Sequence, residues 1–256
     1  MPAAPLNPAF ATPAATPAAL AARYLAVRAK TLALAAPLSA EDQQVQSMPE
    51  ASPTKWHLAH TSWFFETFVL RDFADDYAPF DPAYHFLFNS YYDAEGPRVA
   101  RATRGLQTRP ALDEVLRYRT HIDAAVATLL ARGDRTIASR VALGLAHEEQ
   151  HQELILMDIK HLFSQSPLRP AYAPLAPHAA RAHPPLEWER FPGGVFAVGA
   201  GPEGFSFDNE RPRHKTLLEP FRLARRLSTN GEFIAFIEEG GYERPELWLA
   251  DGWEEK

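Results

Sequence analysis

Two histidines, His147 and His151, stand four residues apart in a segment with the apolar periodicity of a long helix. Residues i and i+4 of an α-helix lie about one turn apart on the same face. A neutral imidazole is the commonest metal ligand among side chains, and two at this spacing can occupy neighbouring positions on one ion. The pair therefore indicates a metal site, and we expect the chemistry of the protein to depend on it.

A metal site of this kind needs a third ligand, which a second helix can supply. Ser52 and Pro53 are typical of a helix start, as N-cap and first helical residue. The helix that they predict carries His57 and His60. Both remain candidates at this stage, because a single buried histidine is more often a hydrogen-bonded core residue than a ligand.

Other polar residues near the histidine pair are expected to have supporting roles. Asp158 and His161 fall on the same helical face as the pair, at 100° per residue, and are expected to orient ligands or to pack. Glu148 and Glu149 are expected to lie on a solvated face, since carboxylates are rarely buried unless they are paired.

Four helices are predicted before residue 165. Apolar periodicity places the first over residues 18–38, with Leu25 and Leu32 in its stripe, and the second from Ser52 through Phe68. The third and fourth cover residues 110–132 and 136–163. Residues 73–110 contain frequent Pro, Gly, Asp and Tyr residues, and this pattern predicts a long ordered loop. Four helices with one long crossover indicate an antiparallel bundle, a fold that builds metal sites from facing helices.

The composition changes after residue 164. Residues 165–187 are rich in proline and alanine, which predicts a linker. Residues 188–256 show short strands and turns with one helix over 230–239. Residues 1–17, rich in Ala and Pro, predict a disordered tail. The expected fold class is α+β, a helical bundle over residues 18–164 followed by a smaller mixed domain.

Composition narrows the function further. The 256 residues carry a formal net charge of -6 and no dense run of Lys or Arg, which disfavours nucleic acid and anionic membranes as partners. The absence of cysteine excludes disulfides, thiolate zinc sites and a cysteine nucleophile. No Gly-x-Ser-x-Gly elbow or glycine-rich phosphate loop is present. No signal peptide or membrane span is apparent, so a cytoplasmic monomer acting on small molecules is expected.

Two sets of motifs resemble the iron sulfoxide synthases of ergothioneine biosynthesis, in which a DinB-like bundle precedes a formylglycine-generating-enzyme-like domain. The bundle set comprises His57-Leu-Ala-His60, Phe86-Leu-Phe-Asn-Ser-Tyr-Tyr92, Gly105-Leu106 and His147-Glu-Glu-Gln-His151-Gln-Glu153. The second set is similar to the start of the following C-type-lectin-like domain: Phe191-Pro-Gly-Gly, Phe207-Asp-Asn-Glu-Arg-Pro212, Thr229-Asn-Gly-Glu-Phe233 and Gly240-Gly-Tyr242. The resemblance implies this two-domain order for residues 18–256.

The resemblance also implies a non-haem iron(II) enzyme that uses O2 to join a thiol to the imidazole of Nα-trimethylhistidine (hercynine) as a sulfoxide. It implies His60, His147 and His151 as iron ligands, and Gln150 as a hydrogen-bond partner of the trimethylhistidine imidazole. Arg101 and Arg104 are expected to bind carboxylates of the sulfur donor, because a guanidinium grips a carboxylate with two hydrogen bonds. The donor is cysteine or γ-glutamylcysteine, and the sequence does not distinguish them.

The chain departs from that family at its carboxyl end. It stops at Lys256, inside the second predicted domain, so we expect a truncated member whose proton-donor tyrosine lies in the missing part and whose activity is open. The alternatives are an ovothiol-type synthase acting on histidine, a metal-dependent thiol transferase, and a non-catalytic metal-binding bundle. In each, metal affinity is expected to fall as histidines protonate below about pH 6.5.

Overall fold

A computed structural model describes residues 16–174, 183–202 and 205–256. These residues form two compact units, one of residues 16–174, 200–202 and 205–212, the other of residues 183–199 and 213–256. The predicted tail lies almost wholly outside the described residues, as does the middle of the predicted linker. In the described part of the chain, no helix is long and apolar enough to cross a membrane.

Four long helices build the first unit, as the apolar periodicity predicts. They are α1 (Pro17–Ala35), α2 (Thr54–Phe65), α3 (Leu112–Leu130) and α4 (Arg135–Gln165). Side chains cap two of them: the hydroxyl of Thr16 accepts from the N–H of Ala19 at 3.2 Å, and the carboxylate of Asp134 accepts from the N–H of Thr136 at 2.6 Å. The buried stripe of α1 is rotated from the predicted one, because Leu25 and Leu32 are exposed and Val27 and Thr31 are buried.

The central helix of the unit is α2. Every residue from Thr54 to Leu70 is buried, as expected for a helix that is apolar around most of its circumference. After Phe65 the helix continues as a π-helix over Glu66–Leu70 and then as a last turn over Arg71–Phe73. The buried carboxylate of Glu66 accepts hydrogen bonds from the hydroxyls of Tyr118 at 2.5 Å and Tyr77 at 2.7 Å.

The predicted long loop between α2 and α3 is built from short turns. It contains the helical turn Tyr84–Leu87 and the 3-10 turns Asp93–Glu95 and Arg101–Leu106. Lys55 on α2 binds the end of this loop. The ammonium group of Lys55 donates to the carbonyls of Gln107 at 3.0 Å and Pro110 at 2.9 Å. The crossover is therefore held against the central helix.

Glu148 on α4 is fully buried, and the prediction that it lies on a solvated face is wrong. Its carboxylate accepts from Arg28 of α1 at 3.0 Å, from Arg119 of α3 at 2.9 Å and from the hydroxyl of Thr31 at 2.7 Å. The two arginines supply the pairing that burial of a carboxylate requires. Glu149 is exposed, as predicted, and pairs with Arg23 at 3.2 Å.

Gly144 allows α4 to approach α2 closely. A Cβ atom at this position would lie 2.5 Å from Cε1 of Phe65 and 3.0 Å from a ring carbon of Phe64. Because the ring of Phe65 is fully buried in the core, we expect Gly144→Ala to destabilise the bundle by about 1–3 kcal/mol, even though alanine favours a helix by about 1 kcal/mol. Urea unfolding of both proteins measures the difference, and an unchanged or higher midpoint would contradict the close approach.

The second unit consists of two antiparallel ribbons and a helix. Strand β1 (Trp188–Phe191) pairs with β4 (Phe221–Ala224), and β2 (Gly194–Val198) pairs with β3 (His214–Leu218). The predicted helix appears as α5 (Asn230–Glu238), where Thr229 and Glu232 form a reciprocal capping box. It is followed by Gly240 at φ 78, and the last helical turn is Ala250–Glu254. The protein is thus a helical domain followed by small antiparallel sheets, the predicted α+β class.

Candidate metal centre

Helices α2 and α4 bring His60, His147 and His151 together within the first unit. One ring nitrogen of each lies within 4.8 Å of the other two. The Nε2 atoms of His147 and His151 are 3.1 Å apart. Two nitrogens bound at about 2.0–2.1 Å on adjacent corners of one ion are separated by roughly 3 Å. The structure therefore assembles all three residues predicted as metal ligands in a geometry that suits a single cation.

The ring of His60 is fixed from several sides. Its Nδ1 lies 2.7 Å from the carbonyl oxygen of Phe88. A carbonyl only accepts, so Nδ1 carries the proton and Nε2 presents a lone pair. The ring also stacks on Trp56, with centroids 4.5 Å apart, and on Trp63, with centroids 5.5 Å apart. The orientation of this candidate ligand thus depends on the crossover that supplies Phe88.

Burial keeps the three imidazoles neutral. It lowers the pKa of His60 and of His151 well below the ordinary value, and it lowers the pKa of His147 to about 4. A neutral imidazole is the form that binds a metal. The Nδ1 atom of His147 is buried without a hydrogen-bond partner among the described residues, and its ring stacks on Phe64 at 4.6 Å. Three neutral nitrogen donors in this setting fit a divalent transition metal.

His57, the other candidate for third ligand, has both ring nitrogens engaged elsewhere. Its Nε2 lies 3.0 Å from a carboxylate oxygen of Asp158, and its Nδ1 lies 2.8 Å from Nδ1 of His151. His57 therefore contacts Nδ1 of His151, the ring nitrogen that does not face His147. Ser52, predicted as the N-cap of α2, forms no such cap, and its N–H donates to the same oxygen of Asp158 at 2.9 Å.

Arg104 is buried near the centre, and its guanidinium hydrogen-bonds hydroxyl groups and forms no direct ion pair with a carboxylate among the described residues. Its guanidinium lies 3.5 Å from the ring centroid of Trp56 and donates to the hydroxyls of Ser52 at 2.9 Å and Ser90 at 3.0 Å. Burial, followed by repulsion from Arg101, lowers the pKa of Arg104 to about 10. An unneutralised buried guanidinium is a site where an anion is stabilised.

The side chains of the remaining residues singled out from the sequence make no hydrogen bond to the three histidines in the described structure. Arg101 donates to the hydroxyl of Tyr91 at 3.4 Å, and Gln150 is exposed on α4 next to His151 in sequence. His161 lies off the cluster and pairs with the hydroxyl of Ser47 at 2.7 Å.

Tyr92 lies closer to the centre than the sequence alone indicated. Its ring centroid is 6.3 Å from that of His60 and 6.4 Å from that of His147. Burial raises its pKa to about 12, so the phenol keeps its proton at neutral pH. Tyr92 ends the segment Phe86-Leu-Phe-Asn-Ser-Tyr-Tyr92, and its place in that motif is the sequence signal that could have identified it.

The chain is similar to proteins named for ergothioneine chemistry. It is 33% identical to hercynine oxygenase of Mycolicibacterium smegmatis over 211 residues, 81% of this chain and 47% of that protein. It is 32% identical to hercynine oxygenase of Mycobacterium tuberculosis over 245 residues, 94% of this chain and 55% of that protein. Ergothioneine biosynthesis protein 1 of Neurospora crassa is 24% identical over 215 residues. The chain spans about half the length of the mycobacterial relatives that it matches.

A family model described as the DinB superfamily matches residues 23–155, slightly more than half of the chain. The matched segment includes α2, α3 and the part of α4 that carries His147 and His151. All three histidines of the candidate metal centre therefore lie inside the match. On this evidence, the chain belongs to the DinB superfamily.

Proposed function

We propose that the protein is an iron(II)- and O2-dependent sulfoxide synthase of ergothioneine biosynthesis. In this reaction a thiol, cysteine or γ-glutamylcysteine, is joined to the imidazole carbon of trimethylhistidine. The observation that carries the proposal is the convergence of three neutral imidazoles in the bundle. The similarity to hercynine oxygenases over most of this chain supports the same substrate. The resemblance of residues 188–256 to a formylglycine-generating-enzyme-like domain remains part of this proposal.

In this proposal His60, His147 and His151 hold the metal. When bound, iron(II) supplies the O2 and redox chemistry, and three protein ligands leave positions open for small molecules. Arg104, whose buried charge has no carboxylate partner among the described residues, binds a carboxylate of the sulfur donor together with Arg101. Gln150, which is exposed and directly precedes His151 in sequence, hydrogen-bonds the trimethylhistidine imidazole. Burial of His60 and His151 keeps bulk water from that side of the centre.

Anaerobic iron(II) titration tests the centre directly. We expect the protein to bind one equivalent of iron(II) and His151→Ala to weaken binding at least 100-fold, because two imidazoles remain. His161→Ala is the matched control, since His161 lies on the same helix and its ring is hydrogen-bonded to Ser47, outside the cluster. Tight binding that survives in His151→Ala, or an equal loss in His161→Ala, would contradict the assignment.

The substrate class is tested with the iron-loaded protein under O2. Trimethylhistidine with cysteine or γ-glutamylcysteine is expected to give a product of the corresponding sulfoxide mass. Coupling to unmethylated histidine instead would indicate an ovothiol-type synthase, and thiol transfer without O2 would indicate a thiol transferase. Iron binding without any of these reactions would leave a non-catalytic metal-binding bundle.

A further inference from the structure

The Nδ1 atom of His151, which is not the nitrogen nearest to His147, makes a second set of contacts. Its Nδ1 is 2.8 Å from Nδ1 of His57, whose Nε2 is 3.0 Å from a carboxylate oxygen of Asp158. That oxygen also accepts the backbone N–H of Ser52 at 2.9 Å. His57 and Asp158 are 2% and 6% exposed, so water does not compete for these contacts. The result is a buried row from Asp158 through His57 to His151.

Hydrogen-bond chemistry assigns the protons along this row. A carboxylate only accepts, so Nε2 of His57 must be the nitrogen that carries the proton. In a neutral imidazole the other nitrogen is then an acceptor. Nδ1 of His57 therefore accepts, and Nδ1 of His151 donates to it. The lone pair of His151 is left on Nε2, the atom that lies 3.1 Å from Nε2 of His147.

We infer that Asp158 and His57 are positioning residues that hold His151 in the tautomer whose Nε2 faces the metal. The inference rests on the metal centre of the proposed function and adds residues to it. A hydrogen bond to the second nitrogen of a ligating histidine fixes its tautomer and orientation. Here that partner is a second histidine, His57, which is oriented by the carboxylate of Asp158; the backbone N–H of Ser52 holds that carboxylate in turn.

The other two candidate ligands are held in different ways. The tautomer of His60 is set by the carbonyl oxygen of Phe88, and Nδ1 of His147 has no hydrogen-bond partner among the described residues. Substitution of Asp158 or His57 should therefore change the tautomer of His151 and leave those of His60 and His147 unchanged. A purely structural role for Asp158 would instead lower stability and leave the tautomer of His151 unchanged in the folded protein.

The tautomers are measured first, on the full metal-free chain, by long-range proton–nitrogen NMR of its histidine rings at neutral pH. We expect the His151 proton on Nδ1 and the His57 proton on Nε2, with single histidine substitutions providing assignments. In Asp158→Ala the single tautomer of His151 should be replaced by a mixture. A His151 proton on Nε2 in the parent, or an unchanged spectrum in the variant, would overturn the inference.

The consequence for the metal is measured by cobalt(II) titration followed by visible absorption. We expect Asp158→Ala and His57→Phe to weaken cobalt(II) binding about 10–100-fold and to alter the absorption bands. Asp158→Asn should lose less than tenfold, because its amide oxygen can accept the same hydrogens. His161→Phe is the control and should bind as the parent does. Affinities and spectra within twofold of the parent in all three row variants would overturn the positioning role.

The two readouts separate this inference from the proposed function. If the parent bound neither cobalt(II) nor iron(II), the proposed iron centre would be wrong. The NMR spectra would then still test whether Asp158 and His57 fix the tautomer of His151, because this measurement requires no metal. Circular dichroism of each variant establishes that it is folded, and His57→Phe provides the test if Asp158→Ala does not fold.

Discussion

Replacing Glu148 with alanine is expected to destabilise the protein by about 3–5 kcal/mol, the cost of removing one partner from a buried ion pair. The substitution would leave the guanidinium groups of Arg28 and Arg119 buried, and both are at most 2% exposed. Asp123 forms an ion pair with Arg28 at 2.6 Å and makes no hydrogen bond to Arg119 among the described contacts. Burial alone would raise the pKa of Glu148, but the two arginines lower it to about 2, so the carboxylate is charged throughout the physiological range.

Thermal unfolding measures this effect, with Glu149→Ala as the matched control on the neighbouring residue. A loss of 3–5 kcal/mol corresponds to a fall in Tm of roughly 6–20 °C for a domain of this size. Glu149 is exposed and its pair with Arg23 is solvated, so its removal should cost less than about 1 kcal/mol. Similar losses in the two variants would mean that the buried cluster does not stabilise the bundle.

Acidification from about pH 6.5 to pH 4 is expected to destabilise the metal-free protein by at least about 3 kcal/mol, the contribution of His147 alone at about 1.4 kcal/mol for each unit of pKa shift. Burial lowers the pKa of His60 and His151 well below normal and that of His147 to about 4. Between these values the unfolded chain binds protons that the folded chain excludes. Stability therefore rises with pH across this window and levels off above about pH 6.5.

Urea unfolding at pH 7, 6, 5 and 4, with chelator present, measures this dependence. His147→Phe removes one of the responsible groups and should flatten the curve. His161→Phe is the control substitution at a histidine that lies outside the cluster. A stability that is constant from pH 7 to pH 4 in the parent would mean that these imidazoles titrate alike in the folded and unfolded chains.

The same lowered pKa values change the pH range expected for metal binding. Protons compete with the metal only where the free imidazoles titrate. An unperturbed pKa near 6.5 predicts that metal affinity falls below that pH. The lowered pKa values move this fall in affinity to lower pH, towards the pKa of about 4 for His147. Retention of metal at pH 5 is then the expected behaviour of a buried imidazole site.

Sequence periodicity predicted the bundle and the histidine pair because both depend on short-range spacing. The i, i+4 positions of His147 and His151 follow from helix geometry alone. The choice between His57 and His60 could not be made this way. It depends on the carbonyl of Phe88 and the carboxylate of Asp158, which belong to distant segments that only the folded chain brings to α2.

Long-range partners also explain the wrong prediction for Glu148. Leu145 and Ile155, which are fully buried, share its side of α4, so periodicity could have indicated burial. What it could not show was that Arg28 and Arg119, from two other helices, would neutralise the charge. Long-range packing also explains why Leu25 and Leu32 are exposed, because the buried face of α1 depends on the helices against which it packs.

The three histidines of the cluster differ in exposure. His60 and His151 are 1% and 8% exposed, whereas His147 is only partly buried. A bound ion would therefore be most accessible to solutes from the side of His147. Small chelators and competing ions are expected to reach it from that side without unfolding of the bundle.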